Sequence, residues 1–349
     1  MGNTLISRIK TINDPVLVTG HTGFKGTWLT LLLDMLGISW AGISLQPKPN
    51  SLYQLINEKN NMEYFFDIRD FDKLEKTVKT IKPRYVIHLA AQPLVLESYR
   101  SPRETFETNI LGTVNLLDIL AKNSITEKVI IATTDKVYRE KRFKKSFKEL
   151  DAFGGKDPYS WSKVGTEAVI GAWQQICEIQ GGPKIVSVRA GNVIGGGDNS
   201  ENRLLPDLIK SFITNSVIDI RNPLSTRPWQ HALDPLSGYL LSLVVDSEER
   251  AFNFSPTSKS ITVRKVTEIA REIWCSKVEI RYNNINDHLE TKALSLNSTK
   301  AKKVLNWNSH WTQEEAVIST VNWWMNVTNK IMSPKEACLR DLSDLLGKK

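Results

Sequence analysis

Residues 16–29 read VLVTGHTGFKGTWL, a short β-rich run from Val16 to Thr19, a turn holding Gly20, Gly23 and Gly26, and the start of an apolar helical pattern that continues to Leu36. Without side chains, such a turn lets backbone N–H groups and a helix N-terminus approach a pyrophosphate. Three glycines alone also fit a plain tight turn, but their place at the opening of the first strand–turn–helix unit favours a dinucleotide. The acid that would grip ribose hydroxyls is missing from the end of the next strand, where Ser44, Leu45 and Gln46 stand. Hydroxyl against phosphate on that ribose therefore stays open. Asp67, followed by Ile68, offers a carboxylate to an adenine amino group after the third strand, or caps a surface helix.

Outward from this unit, strands are expected at Ser39–Leu45, Tyr64–Asp67, Tyr85–Ala90, Lys128–Thr133 and Lys184–Arg189. Helices are expected over Asp70–Ile81, Pro102–Lys122 and Pro158–Gln180. Strands alternating with helices predict an α/β fold built on a doubly wound parallel sheet over residues 1–190. Beyond Arg189 the alternation breaks at Gly195-Gly196-Gly197 and at Pro206, Pro223, Pro228 and Pro235. A smaller C-terminal substrate-binding lobe is expected from 191–233 and 251–330, completed by a helix over Thr312–Asn329. Segment 234–250, with a helix from Pro235 to Val245, returns to the sheet, and 331–349 reads as a tail.

The whole chain of 349 residues, 41% hydrophobic and 24% charged, is long enough for a full core and excludes collagen-like, coiled-coil and low-complexity classes. Its net charge is 46 − 38 = +8. Much of that excess is local, because Lys136 to Lys148 carries seven basic residues against one acidic. The segment reads as a solvated loop, too short and too poor in aromatics for a nucleic-acid surface. Cys177, Cys275 and Cys338 lack CxxC spacing and the first residues show no apolar signal core, so a reduced, cytoplasmic chain is expected. The apolar run from Trp28 to Trp40 contains Asp34 and is too short for a bilayer. No histidine has metal-ligand spacing, so no metal and no membrane partner are expected.

Tyr159 and Lys163 lie one turn apart on one helix face. A phenol with an ordinary pKa of about 10 needs a neighbouring cation to act as a base, and the lysine supplies one. Thr134-Asp135-Lys136 falls at the carboxyl end of a parallel strand, the edge where such sheets hold ligands. Thr134 could bond a substrate hydroxyl and Asp135 could donate a proton, while Lys136 is either an electrostatic or basic group or the first charge of the basic loop. His88 is expected as a satisfied strand-end histidine. Arg189 and Arg227 could clamp a diphosphate, and Trp161 and Trp229 offer stacking planes.

Taken together, TGHTGFKGTWL (19–29), HLAAQPLV (88–95), TNILGT (108–113), TTDKVY (133–138), GGKDPYSWSK (154–163), RAGNVIGGGD (189–198) and RPWQHALDPLSGYL (227–240) resemble the CDP-glucose 4,6-dehydratase family of extended short-chain dehydrogenases. The resemblance implies a Rossmann fold and an NAD-dependent reaction that turns CDP-glucose into CDP-4-dehydro-6-deoxyglucose and water. It also implies a place in deoxysugar and O-antigen biosynthesis. It gives Tyr159 the 4-hydroxyl proton, Lys163 the cofactor ribose and the tyrosine pKa, Thr134 the 4-hydroxyl, and Asp135 the departing 6-hydroxyl. Related dTDP-glucose enzymes carry glutamate where this chain has Lys136, so the identity of the C5 base stays open. The resemblance further assigns Gly20, Thr22, Gly23, Phe24, Lys25, Gly26, Asp67, Ile68, Leu89, Ala90, Ala91, Gln92, Asn109 and Thr133 to NAD. Gln92, Asn192, Arg203, Leu205 and Arg227 fall to the nucleotide sugar, with Asn109 also supporting the active-site helix. A homodimer through the helix that begins at Tyr159 is implied.

Arg84 departs from the family's aspartate, and the basic stretch after Tyr138 departs from its aromatic-rich one, which bears on the hexose and the nucleotide. Another nucleotide-sugar 4,6-dehydratase or a nucleotide-sugar epimerase would share the glycine turn and Tyr159/Lys163. An epimerase needs no acid at Asp135. A non-catalytic NAD-binding regulator would lack the tyrosine or the lysine.

Overall fold

A computed structural model describes residues 8–9, 11–56, 62–139, 146–256, 258, 260–283 and 295–347. The middle of the basic loop, residues 140–145, therefore lies outside the described residues. The chain opens with β1 (Val16–Thr19), α1 (Phe24–Leu36), β2 (Trp40–Ser44), β3 (Glu63–Phe65), α2 (Phe71–Ile81) and β4 (Tyr85–His88). It continues with α3 (Gly112–Ala121), β5 (Lys128–Ala132), α4 (Pro158–Gln180), β6 (Lys184–Ala190), α5 (Leu204–Thr214), α6 (Leu233–Val244) and β7 (Ala251–Phe254), and ends with α7 (Val263–Trp274), α8 (Gln313–Thr328) and α9 (Pro334–Leu346).

The seven strands form one parallel sheet in the order β7-β6-β5-β4-β1-β2-β3. The order reverses between β1 and β4, which places a ligand crevice at their carboxyl ends. Alternating residues feed two cores, as the two-residue period of a strand requires. Val16, Val18, Ile87, Ile130 and Val188 bury with α1 and α6, while Leu17, Val86, Val129, Ile131 and Ile185 bury with α2, α3 and α4.

Local chemistry sets the boundary of α4. Asp157 and Ser160 exchange side-chain and backbone bonds in a capping box (2.8 and 3.0 Å), and Pro158 occupies the first turn where its missing N–H costs nothing. The helix runs as expected, from Pro158 to Gln180.

Three expectations are corrected. Pro102–Lys122 is not one regular helix: a turn of π-helix, Glu107–Leu111, interrupts it and swings Asn109 inward. Residues 251–254 do not belong to the lobe but form β7, because Phe252, Asn253 and Phe254 are all buried and pair with β6 from Ala251↔Ser187 to Phe254↔Ala190. Residues 334–346 are not a tail. They form α9, capped by Ser333 and Glu336, which buries Cys338, Leu342, Leu345 and Leu346 against α1 and α8. Among the described residues no helix is long and apolar enough to cross a membrane.

Candidate active site

The glycine turn is shaped by close backbone approach. Gly20 has φ +77°, and a Cβ there would stand 2.7 Å from the Ala90 nitrogen. At Gly26 a Cβ would meet the Gly20 carbonyl at 2.0 Å. Gly23 caps α1 without a side-chain bond and no acid stands in the first turn, which leaves the first N–H groups of the helix open to an anion. Thr22 does not reach outward: its hydroxyl bonds Ser44 (2.6 Å) and the Leu45 carbonyl (3.1 Å). Phe24 is half-buried, its ring edge facing Gly195. Lys25 extends to within 5.7 Å of the Tyr239 ring centre, and removal from water together with the Arg203 charge lowers its pKa to about 8.

The loop after β4 forms the floor. Leu89 and Ala90 donate to the Thr19 carbonyl and hydroxyl (3.0 and 3.3 Å), and Ala91 follows half-buried. Gln92, expected to touch both ligands, is instead turned onto its own loop: its amide engages Leu94 (2.6 and 3.1 Å) and Thr105 (2.9 Å). Asn109 accepts from Gln92 N–H (2.8 Å) and donates to the Gln92 carbonyl (3.1 Å) and Ser162 hydroxyl (2.8 Å), bracing loop and α4 together. His88 shares bonds with Thr19 (2.6 Å) and Thr113 (3.2 Å), and burial followed by the Lys163 charge lowers its pKa to about 3. A histidine so held stays neutral. Asp67 is gripped by Arg69 (2.7 Å), whose hydrogen bond keeps the carboxylate ionised, and Ile68 is buried against Gly112.

Tyr159, Lys163, Thr134 and Asp135 meet at the carboxyl end of β5, all less than a tenth exposed. Thr134 caps the short turn Asp135–Val137 and donates to Asp135 Oδ1 (3.1 Å). Asp135 Oδ2 is buried with no hydrogen bond. Burial raises the Asp135 pKa against the nearby charges of Lys136 and Arg227, which favours the protonated acid. Burial pushes the Tyr159 phenol up to about 12, while a bond to Thr134 draws it down. Lys163 donates to the Ala132 carbonyl (3.1 Å), and burial plus the Lys25 charge lower its pKa to about 7. Lys136 stands half-buried beside Asp135.

From the lobe, Arg203 pairs with the buried Asp198 (3.0 Å) and acts on both Lys25 and Tyr159, so these groups share one chamber. The Arg227 charge acts on Asp135. Asn192 is half-buried, its carbonyl taking the Gln230 N–H (3.0 Å). Leu205 is buried in the apolar core. Thr133 and Arg189 turn away from the chamber. Both bond the buried Glu167, a residue the sequence reading passed over although it lies four beyond Lys163 on the same helix face. Arg189 is thus an ion-pair partner and not a diphosphate clamp. Trp229 is buried and Trp161 lies about half exposed on α4. Among the described residues no metal-binding group of His, Cys, Asp or Glu forms.

The glycine cradle, the uncapped N-terminus of α1 and the buried lysines fit a dinucleotide's pyrophosphate: an anion there would relieve the repulsion between Lys25 and Lys163. With a reversal of strand order at the crevice and the Tyr159/Lys163 pair on α4, the fold and this side-chain set define an extended short-chain dehydrogenase/reductase. The family model described as GDP-mannose 4,6 dehydratase matches residues 17–320. The CDP-glucose 4,6-dehydratase of Salmonella typhimurium is 37% identical over 348 residues, 95% of this chain and 96% of that protein. Among solved structures, the UDP-glucose 4-epimerase of Thermotoga maritima with UDP-glucose superposes at a TM-score of 0.80 and 24% identity, over 90% of this chain and 99% of that one. The dTDP-glucose 4,6-dehydratase of Bacillus anthracis, in complex with NAD, gives 0.76 at 20% identity, over 92% and 99%. The chain belongs to the GDP-mannose 4,6 dehydratase family, within the nucleotide-sugar epimerases and dehydratases.

Proposed function

We propose that the protein is an NAD-dependent CDP-glucose 4,6-dehydratase, a hydro-lyase that converts CDP-glucose to CDP-4-dehydro-6-deoxyglucose and water. The observation that carries the reading is Asp135: a buried carboxyl, raised in pKa and bonded to Thr134, beside the Tyr159/Lys163 pair. An epimerase has no use for such an acid. The identity to the Salmonella typhimurium enzyme supports the cytidine nucleotide.

When bound, NAD supplies the acceptor for a hydride from C4 of the sugar and the donor of a hydride to C6. Gly20, Gly23, Gly26 and Lys25 would hold its pyrophosphate, and the loop from Leu89 to Ala91 would line the site. Thr134 holds the 4-hydroxyl and Tyr159 takes its proton. The Lys163 ammonium lowers the proton affinity of that phenol, against a burial that alone pushes it up to about 12. An anion near Lys25 and Lys163 keeps Lys163 charged. Asp135, neutral before the reaction, gives its proton to the departing 6-hydroxyl, and water leaves. Lys136, on the same turn, is the candidate for the C5 proton. Arg203 and Arg227 bind the substrate's diphosphate. No outside reductant is consumed.

The reading extends to a cytoplasmic homodimer whose product feeds O-antigen deoxysugars. Leu96, Tyr99, Phe106, Leu111 and Trp161 stand exposed on α4 and the helices packed on it, which supports a dimer face there. The test is incubation with NAD and each of CDP-, dTDP-, GDP- and UDP-glucose. Loss of water from CDP-glucose alone is expected, and conversion of another nucleotide sugar alone overturns the cytidine assignment.

A further inference from the structure

We propose that Glu167 is a positioning residue for this reaction, tying the helix that carries Tyr159 and Lys163 to both ends of the turn that carries Thr134 and Asp135. The proposal rests on the reading of that cluster as the reactive centre.

Tyr159, Lys163 and Glu167 follow one another at four-residue spacing and so share a face of α4. The Glu167 side chain is 3% exposed and its partner Arg189 4%. Oε1 accepts from the Thr133 hydroxyl (2.5 Å), the Ser187 hydroxyl (2.7 Å) and Arg189 Nε (2.7 Å), and Oε2 accepts from Arg189 Nη2 (2.7 Å). Thr133 immediately precedes Thr134. The remaining guanidinium nitrogen, Nη1, donates to the Tyr138 phenol (2.8 Å) and the Glu149 carbonyl (2.9 Å). Tyr138 directly follows the turn Asp135–Val137, and its phenol donates to Asn253 on β7 (2.7 Å). The reactive turn is therefore held at residue 133 and at residue 138 from a single carboxylate on the helix bearing the reactive phenol.

A buried ion pair of this kind contributes little net stability, since apolar residues of similar volume often serve as well. What a bidentate pair with four donors supplies is a fixed distance between two elements. It also supplies charge. The ionisable groups around Lys163 are Lys25 from the glycine turn, His88 at the end of β4, Asp135 just past β5, Tyr159 and Glu167 on its own helix, and Arg189 behind Glu167 on β6. Glu167 alone among them favours the Lys163 ammonium.

Two variants separate geometry from charge. Glu167→Gln keeps the shape but loses the charge and leaves Arg189 uncompensated. Its kcat should fall about tenfold or more with the KM for CDP-glucose within about twofold, as expected for a reactive group displaced by a fraction of an ångström. The alkaline limb of its kcat profile should also move to lower pH, because Lys163 then loses its proton more readily. Thr133→Val cuts only the tie to the strand end, and its kcat should fall about threefold or more with that limb unmoved. A Glu167→Gln protein of lower melting temperature but wild-type kcat and pH limb makes the pair merely structural and overturns the proposal. If that variant does not fold, a Thr133→Val enzyme with unchanged kcat overturns it equally. A wild type inactive on every nucleotide sugar would instead defeat the underlying reading.

Discussion

Asp135 and Tyr159 divide the chemistry between them, and their replacement should arrest it at different points. Asp135→Asn should still bind NAD and substrate and still oxidise C4, so that the ultraviolet absorbance of reduced nicotinamide builds up while dehydration slows by about 10²-fold or more. Tyr159→Phe should bind both ligands and show no such absorbance. Wild-type turnover in either variant contradicts its role. These residues could be read because their spacing and strand-end position carry chemical meaning without a structure. The orientations of Gln92, Thr133 and Arg189 could not be read, for the opposite reason: the partners their side chains bond, Leu94 and Thr105, and then Glu167, are set by tertiary packing. Glu167 had one signal, its four-residue step beyond Lys163, which cannot be told from an ordinary helix face until β6 brings Arg189 against it.

Among the elements, the glycine turn makes the sharpest demand. Gly26→Ala would set a methyl 2.0 Å from the Gly20 carbonyl, so the turn must open. NAD affinity, followed by calorimetric titration, should weaken about tenfold or more, and an unchanged affinity would remove the turn from the cofactor site. Elements with chemical stops, such as α4 between Asp157-Pro158 and Gly181, were legible almost to the residue. The π turn at Glu107–Leu111 was not. A single inserted residue leaves the apolar periodicity of 102–122 nearly intact, and only the inward Asn109, bonded to Gln92 and Ser162, reveals its purpose. Strand β7 escaped although α6 precedes it, because the irregular segment 191–232 separates β6 from that helix and breaks the alternation.

The molecule as a whole is closed by its C-terminal elements, where buried charge makes stability depend on pH. Asp234 opens α6 fully buried; Oδ1 takes the His310 N–H (2.5 Å), Oδ2 has no hydrogen bond, and burial raises its pKa to about 8. In the unfolded chain the value is about 3.9, so the folded state holds this proton more tightly. The stability it contributes is complete below about pH 4 and is lost as pH rises toward about 8. Asp234→Asn, equal in shape and uncharged, should therefore match the wild type near pH 4 and melt several degrees higher near pH 8 by calorimetry. Parallel melting curves across that range would contradict the buried, protonated carboxyl. The same closure places α9 on α1, which a sequence reading of 331–349 as a tail did not foresee, because its apolar residues show their purpose only against Trp28 and Trp323.

The most direct test of the central claim is proton NMR of the purified protein with NAD and CDP-glucose in deuterated water. A 4-dehydro-6-deoxy sugar should form with solvent deuterium at C5 and with the C4 hydrogen of the substrate carried to C6. Recovery of unchanged CDP-glucose, or of a C4 epimer that retains its 6-hydroxyl, would contradict the account.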